Sequence, residues 1–351
     1  MKTIGYAAHS SDAHMVPYHF ERRDLRRNDV AIEILYSGVC HSDLHTVNGD
    51  WGPQPYPLVP GHEIVGRVIE VGSDVENYNV GDNVAVGCMV DSCQDCDQCH
   101  SHEEQFCRNG MTPTYGAPDR ISGETTQGGY SKHIIVREEF VLSVPDALDI
   151  SKAAPILCAG ITTYSPLRSW NVTKGSRVGV IGLGGLGHMA VKLAVAMGAE
   201  VTVISRSSNK EEEAKAIGAK GILVSKDEDA MDAAASSFDF ILDTVPVKHD
   251  VSVYTPLLDV DGTLTIVGQV GPMDEFMSWP LIGGRRRVAG SLIGGIKETQ
   301  EVLDFCAEHN IHPECKIIKP SEINDAFEHL SKGDVAYRFV MDMSQLAEDA
   351  A

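Results

Sequence analysis

The sequence predicts an α/β chain of two regimes: an irregular β-rich region, then, from about residue 153, a doubly wound parallel sheet. Two observations carry this. Short apolar runs such as Ile4–Ala8, Val30–Leu35 and Val59–Val71 alternate with polar turns in the first part, as half-buried strands do. From Lys174 the pattern becomes strand, glycine turn, helix and strand again, and then repeats. At 351 residues the chain has room for two cores.

In chain order, Gly81-Asp82 turns one strand into the next, and strands resume over His133–Val144 after a loop rich in Thr, Pro and Gly. Val144-Pro145 and Ser151–Pro155 mark the change of regime. Arg177–Ile181 reads as a buried strand, Gly182–Gly187 as a tight turn, and His188–Met197 as an apolar helix stopped by Gly198. Glu200–Ser205, Gly221–Val224, Phe238–Asp243 and Thr263–Gly268 read as further strands. Lys210–Ile217 and the Ala-rich stretch 230–235 read as helices. Ser291–Gly295 begins a return to the first regime. Helices near Lys297–Glu308 and Ser321–Ser331, then a last strand Ala336–Met341, close the chain.

Composition narrows the function classes. With 43% hydrophobic and 23% charged residues, the chain is that of a globular protein. The 29 basic against 50 acidic residues give a formal charge of −21, which repels nucleic acid and anionic lipid. Neither a basic leader with an apolar core nor a bilayer-length apolar run is visible, so the expected location is the cytoplasm, with no membrane partner. Nine cysteines, an odd number, argue for metal binding over a disulfide framework.

The chemistry concentrates between Cys40 and Glu63. Cys40 and His62 are a thiolate and an imidazole, ligand types that zinc prefers. Asp43 could accept the spare ring N–H of His62. Ser42 and His45 could carry a proton from a zinc-bound oxygen to water, and Glu63 offers a further carboxylate. A catalytic zinc takes three protein ligands and leaves a fourth position open, so another ligand is required, and Cys158 is the best candidate.

A second cluster, Cys93, Cys96, Cys99 and Cys107, puts four thiolates in one short loop. Spacing by itself leaves a closed zinc site, an iron–sulfur cluster and reduced unpaired cysteines all open, with zinc ahead of iron–sulfur. In the later region, Gly182-Leu183-Gly184-Gly185-Leu186-Gly187 lies between a strand and a helix, the context in which such a turn lets backbone approach a dinucleotide pyrophosphate. The second strand then runs into Ser205-Arg206-Ser207-Ser208-Asn209-Lys210. No carboxylate is there for a ribose 2′-OH; cations and hydroxyls are, and a 2′-phosphate needs such donors. NADP(H) is therefore expected over NAD(H).

Cys-x-Ser-Asp-x-His, Gly-His-Glu, the later Cys158 and the four-cysteine loop together resemble the zinc-dependent medium-chain alcohol dehydrogenases. The likeness is closest to their cinnamyl-alcohol-dehydrogenase-like branch and covers essentially the whole chain. It implies a GroES-like catalytic domain, 1–152 with 291–351 returning to it, and a Rossmann NADP-binding domain, 153–290. It implies two zinc ions per chain: one catalytic, at Cys40, His62 and Cys158 with Glu63 close by, and one structural, in the four-cysteine loop. A nucleotide ribose hydroxyl would stand between Ser42 and His45 in the relay. Thr162, Thr244, Gly268, Ser291, Leu292 and Ile293 would line the cofactor. Plant cinnamyl enzymes carry a pocket tryptophan where this chain reads Met111-Thr-Pro-Thr-Tyr115-Gly-Ala-Pro, so the likeness points to the microbial aldehyde reductases. Trp51 and Tyr115 become candidate pocket walls. The expected partners are alcohol or aldehyde substrates and further copies of the chain, as a homodimer or larger assembly. A polyol dehydrogenase and a non-catalytic zinc protein are the competing readings.

Overall fold

Strand Asp29–Val39 is the spine on which the first half of the protein is assembled. Val30, Ala31, Ile32 and Ile34 are all buried, so the strand is covered on both faces and its sequence is nearly continuous in apolar residues. It pairs antiparallel with Ile64–Val71 along one edge, and with His133–Arg137 and Arg338–Asp342 along the other. The remaining strands of this seven-stranded sheet are Asn83–Val86, Leu142–Ser143 and Cys315–Ile318. The computed structural model describes residues 1–268, 271–273, 275–333 and 338–346. They fall into two compact units, one joining Met1–Cys158 to the segment from Gly294 onward, the other spanning Ala159–Ile293.

Several elements of the first unit differ from the sequence expectation. The run Val59–Val71 is a strand only from Ile64, because Pro60 has no N–H to give a ladder and Gly61 takes φ +103°. The freed loop carries His62 and Glu63. Helix His41–Asn48 was not expected from the pattern; it has eight residues and no marked apolar stripe. Its start is held by the Asp43 carboxylate, which accepts the Cys40 N–H at 3.0 Å, and Gly49 ends it in the left-handed region. His133–Val144 is interrupted by a 3-10 turn at Glu138–Phe140. Of the expected last strand, residues 336 and 337 lie outside the described residues, and the described part is Arg338–Asp342.

The second unit is a six-stranded parallel sheet. In spatial order its strands are Ile222–Val224, Glu200–Ser205, Arg177–Ile181, Phe238–Asp243, Leu258–Ile266 and Arg287–Gly290. Chain order reverses between Arg177–Ile181 and Phe238–Asp243, the switch point of a doubly wound sheet. The helix after the glycine turn runs Gly187–Ala196. At Gly187 a Cβ would stand 2.2 Å from the Gly182 carbonyl oxygen, so only glycine lets this helix start so close to the turn. The edge strand Arg287–Gly290 was not expected; its polar Arg-Arg-Arg lead hides a four-residue strand. Among the described residues no helix is long and apolar enough to cross a membrane.

Candidate active site and metal centres

Three local features of the first unit converge on one buried point. Strand Asp29–Val39 ends at Cys40, the loop after Pro60-Gly61 delivers His62 and Glu63, and the 3-10 turn Ala154–Leu157 delivers Cys158. Ligand atoms of Cys40, His62, Glu63 and Cys158 all lie within 4.8 Å of one another, and all four residues are buried. The Cys40 and Cys158 sulfurs are 3.9 Å apart.

Asp43 fixes the imidazole. The His62 ring donates from Nδ1 to Asp43 Oδ1 at 3.0 Å, which leaves Nε2 as the lone-pair nitrogen. The same carboxylate accepts the backbone N–H of Gly61 at 3.1 Å and the Tyr130 hydroxyl at 2.8 Å. Glu63 Oε1 is paired with Arg338, a buried guanidinium that also faces Cys40 Sγ at 3.9 Å. Arg338 escaped the sequence reading, although a charge opening the apolar run Arg-Phe-Val-Met was a signal. Tyr115 packs its ring 6.0 Å from that of His62.

The donor set fits a divalent cation of zinc's type. The hydrogen bond from Cys158, then Arg338 and His62, draws the Cys40 thiol well below its ordinary range against the cost of burial. The Cys158 thiol is pushed well up by Cys40, Cys88 and burial, so two sulfurs this close share one negative charge until a cation joins them. Glu63 Oε2 is buried with no hydrogen-bond partner, an acceptor atom that a cation would satisfy.

Ser42 and His45 stand three residues apart on helix His41–Asn48 and so share a face. His45 is a third exposed, donates from Nδ1 to Asp50 Oδ2 at 2.7 Å, and lies 5.4 Å from the Trp51 ring. Asp50 was missed by the sequence reading; its place just after the Gly49 cap was the available signal. Trp51 thus rests against His45, while Tyr115 rests against His62.

The four cysteines of the loop 93–107 form a separate all-sulfur set within the same 4.8 Å limit. Cys99 Sγ is 3.8 Å from Cys93 Sγ and 3.6 Å from Cys96 Sγ. Backbone N–H groups of Cys93 and Arg108 donate to Cys107 Sγ at 3.4 Å and to Cys96 Sγ at 3.3 Å. Such donors favour thiolates, and the backbone N–H of Asp95 leads the causes that lower Cys93 to about 6. His100 and His102 stand outside the set.

In the second unit, the expected cofactor residues follow the carboxyl ends of the parallel strands, the ligand edge of such sheets. Parallel register places Ile181 beside Ile204, so the turn Gly182–Gly187 and the turn from Ser205 leave the sheet side by side. Lys210 Nζ donates to the Leu183 carbonyl at 3.2 Å, while Arg206 and Ser207 are exposed. Thr244 Oγ1 donates to the Ile181 carbonyl at 2.8 Å beneath the glycine turn. Gly268 follows strand Leu258–Ile266, and Ser291, Leu292 and Ile293 follow Arg287–Gly290. Ile293 takes φ +36°, unusual for a β-branched residue. Thr162 is buried on helix Ala159–Ser169, away from any strand end in sequence.

Comparison with known proteins agrees on both units. The family profile described as "Alcohol dehydrogenase GroES-like domain" matches residues 26–146, and "Zinc-binding dehydrogenase" matches 185–308. An NADP-dependent alcohol dehydrogenase C 1 of Mycolicibacterium smegmatis is 51% identical over 348 residues, covering 99% of each chain. A cinnamyl alcohol dehydrogenase structure from Sorghum bicolor superposes with a TM-score of 0.94 at 42% identity, covering 98% of each chain. One from Helicobacter pylori, solved with NADP(H), gives 0.92 at 44% identity over 98% of this chain and 99% of that one.

Proposed function

This chain belongs to the zinc-binding alcohol dehydrogenases, in their cinnamyl-alcohol-dehydrogenase-like branch, and from that premise we propose an NADP-dependent oxidoreductase interconverting primary alcohols and aldehydes. The observation that carries the reading is the buried convergence of Cys40, His62, Glu63 and Cys158. Its breadth, aromatic and aliphatic, is inferred from the absence of the plant pocket tryptophan.

Cys40, His62 and Cys158 would hold a zinc ion, which would supply Lewis acidity toward the substrate oxygen. Asp43 keeps the proton on His62 Nδ1, so Nε2 would be the nitrogen offered to the metal. In oxidation Ser42 Oγ takes up the hydroxyl proton and His45 receives it. Asp50 holds the His45 ring from Nδ1, and the exposed part of that ring hands the proton to water. NADP(H) supplies the hydride acceptor or donor. Gly182–Gly187 receives its pyrophosphate, Arg206, Ser207 and Lys210 receive its 2′-phosphate, and Thr162, Thr244, Gly268 and Ser291–Ile293 line the rest. Cys93, Cys96, Cys99 and Cys107 hold a second zinc that supports the fold.

On this reading the first unit is the catalytic domain and the second the nucleotide-binding domain. The chain acts as a homodimer. Arg287–Gly290 is an edge strand, and near it in sequence Met277, Trp279 and Ile282 are 73%, 71% and 65% exposed, an apolar set that a second copy would cover. The deciding experiment follows nicotinamide absorbance with benzaldehyde, a short aliphatic aldehyde and sorbitol, each with the phosphorylated and unphosphorylated cofactor. The expected outcome is reduction of both aldehydes with NADPH at a kcat/KM well above that with NADH. Turnover of sorbitol alone would overturn the aldehyde reading, and equal kcat/KM for the two cofactors would overturn the NADP assignment.

A further inference from the structure

Asp43 accepts hydrogen bonds from Cys40, Gly61, His62 and Tyr130, and the first three belong to the segments that carry the proposed metal ligands. Oδ2 accepts the Cys40 N–H, and Oδ1 accepts the Gly61 N–H and His62 Nδ1–H. These three come from the same segments that the carboxylate orients. The fourth donor, Tyr130 Oη, reaches Oδ2 at 2.8 Å from a different part of the chain.

Tyr130 is anchored tightly, both to the loop before His62 and to the strand that carries Tyr6. It is fully buried, its N–H donates to the Pro60 carbonyl at 2.9 Å, and its own carbonyl accepts the Tyr6 N–H at 2.8 Å. The residues before it extend the same seam: Gly129 N–H donates to the Gly61 carbonyl at 2.8 Å and Gly128 N–H to the Val59 carbonyl at 2.6 Å. Beneath them the Arg22 guanidinium donates to the carbonyls of Gln127, Gly128 and His133. The phenol ring lies against Gly61, where an added Cβ would come within 2.6 Å of Tyr130 Cδ1, and it also neighbours Phe327, with ring centroids 6.5 Å apart. The ring therefore has little freedom to move, and its hydroxyl is a fixed point.

We propose that Tyr130 is a positioning residue of the catalytic metal site: its hydroxyl sets the orientation of Asp43 and, through it, the direction and donor strength of His62 Nε2. Without the hydroxyl, Oδ2 loses the Tyr130 donor, and the buried carboxylate turns toward the His62 N–H and makes the ring a different ligand. The proposal rests on the zinc reading of Cys40, His62 and Cys158.

The test compares purified holoenzyme with Tyr130→Phe, which keeps the ring and deletes the donor. Zinc release to a chromogenic chelator is followed in time, and the cobalt-substituted enzymes are compared by their visible d–d spectra. Expected in Y130F are roughly tenfold faster release of one of two zinc ions, unchanged release of the other, and a displaced d–d band. kcat should fall while KM for NADPH stays unchanged. If Y130F is too unstable to purify, 3-fluorotyrosine at position 130 keeps the shape and strengthens the donor; it must move the band the opposite way. Phe327→Leu, which loosens the ring but keeps the hydroxyl, serves as the packing control. A Y130F protein with lower Tm but unaltered release and spectrum, or a fluorotyrosine enzyme with an unmoved band, overturns the proposal. So does a Phe327→Leu enzyme whose band moves as that of Y130F does. Wild-type protein that carries no zinc releasable from Cys40, His62 and Cys158 would instead defeat the underlying site reading.

Discussion

His45 lies one helical turn from Ser42 and is held at Nδ1 by Asp50 at 2.7 Å, so its other nitrogen is free to take a proton. His45→Ala should lower kcat in alcohol oxidation about tenfold at neutral pH, below the ~10²–10⁴ of a direct general base, because water takes over part of the transfer. The loss should shrink as pH rises and bulk base substitutes for the ring. Asp50→Asn should lower kcat less, in the same direction. A pH–rate profile of the three enzymes checks this; parallel profiles would remove His45 from the chemistry. Arg338 acts differently, through Glu63. Arg338→Leu leaves a fully buried carboxylate without its cation, which should cost about 3–5 kcal/mol in denaturant unfolding. Glu63→Gln in the same chain should recover much of that loss.

At the scale of elements, the loop Cys93–Cys107 and the turn Ser205–Lys210 make separable predictions. The loop's four sulfurs converge without Cys40 or Cys158 among them, so the metal proposed there would serve the fold. Cys96→Ser should lower Tm and the zinc content by one ion, with kcat of the folded fraction nearly kept. Melting curves and elemental analysis decide it, and a kcat loss matching that of Cys40→Ser would contradict it. The turn carries Arg206 and Lys210 beside the glycine turn because the two strands run parallel in register. Replacing both with Ala should raise KM for NADPH severalfold while NADH kinetics hardly change, since each removes a cation proposed to meet the 2′-phosphate that NADH lacks. Steady-state kinetics with both cofactors checks this.

On the scale of the whole molecule, a formal charge of −21 keeps copies apart unless apolar surface brings them together. Trp279→Glu puts a charge into the exposed apolar set and should shift the protein to monomer in analytical ultracentrifugation, against a wild-type dimer. An unchanged assembly state would place the interface elsewhere. The sequence by itself determined the doubly wound sheet and its glycine turn, because these rest on local regularities: apolar runs, glycines at fixed offsets, a helix stopped at Gly198. It also displayed the sulfur and imidazole residue types, whose scarcity makes their spacing informative. What it did not display were the contacts that Arg338, Tyr130 and Asp50 make, or the helix His41–Asn48 that carries Ser42 and His45. Arg338 meets Glu63 across 275 positions only because antiparallel register sets Phe339 opposite Val39, next to Cys40. Tyr130 reaches Asp43 only because the Gly128–Tyr130 backbone pairs with Val59–Gly61. Such contacts depend on which strands pair and in what register, and that is decided by burying the apolar faces together, which only the folded chain does.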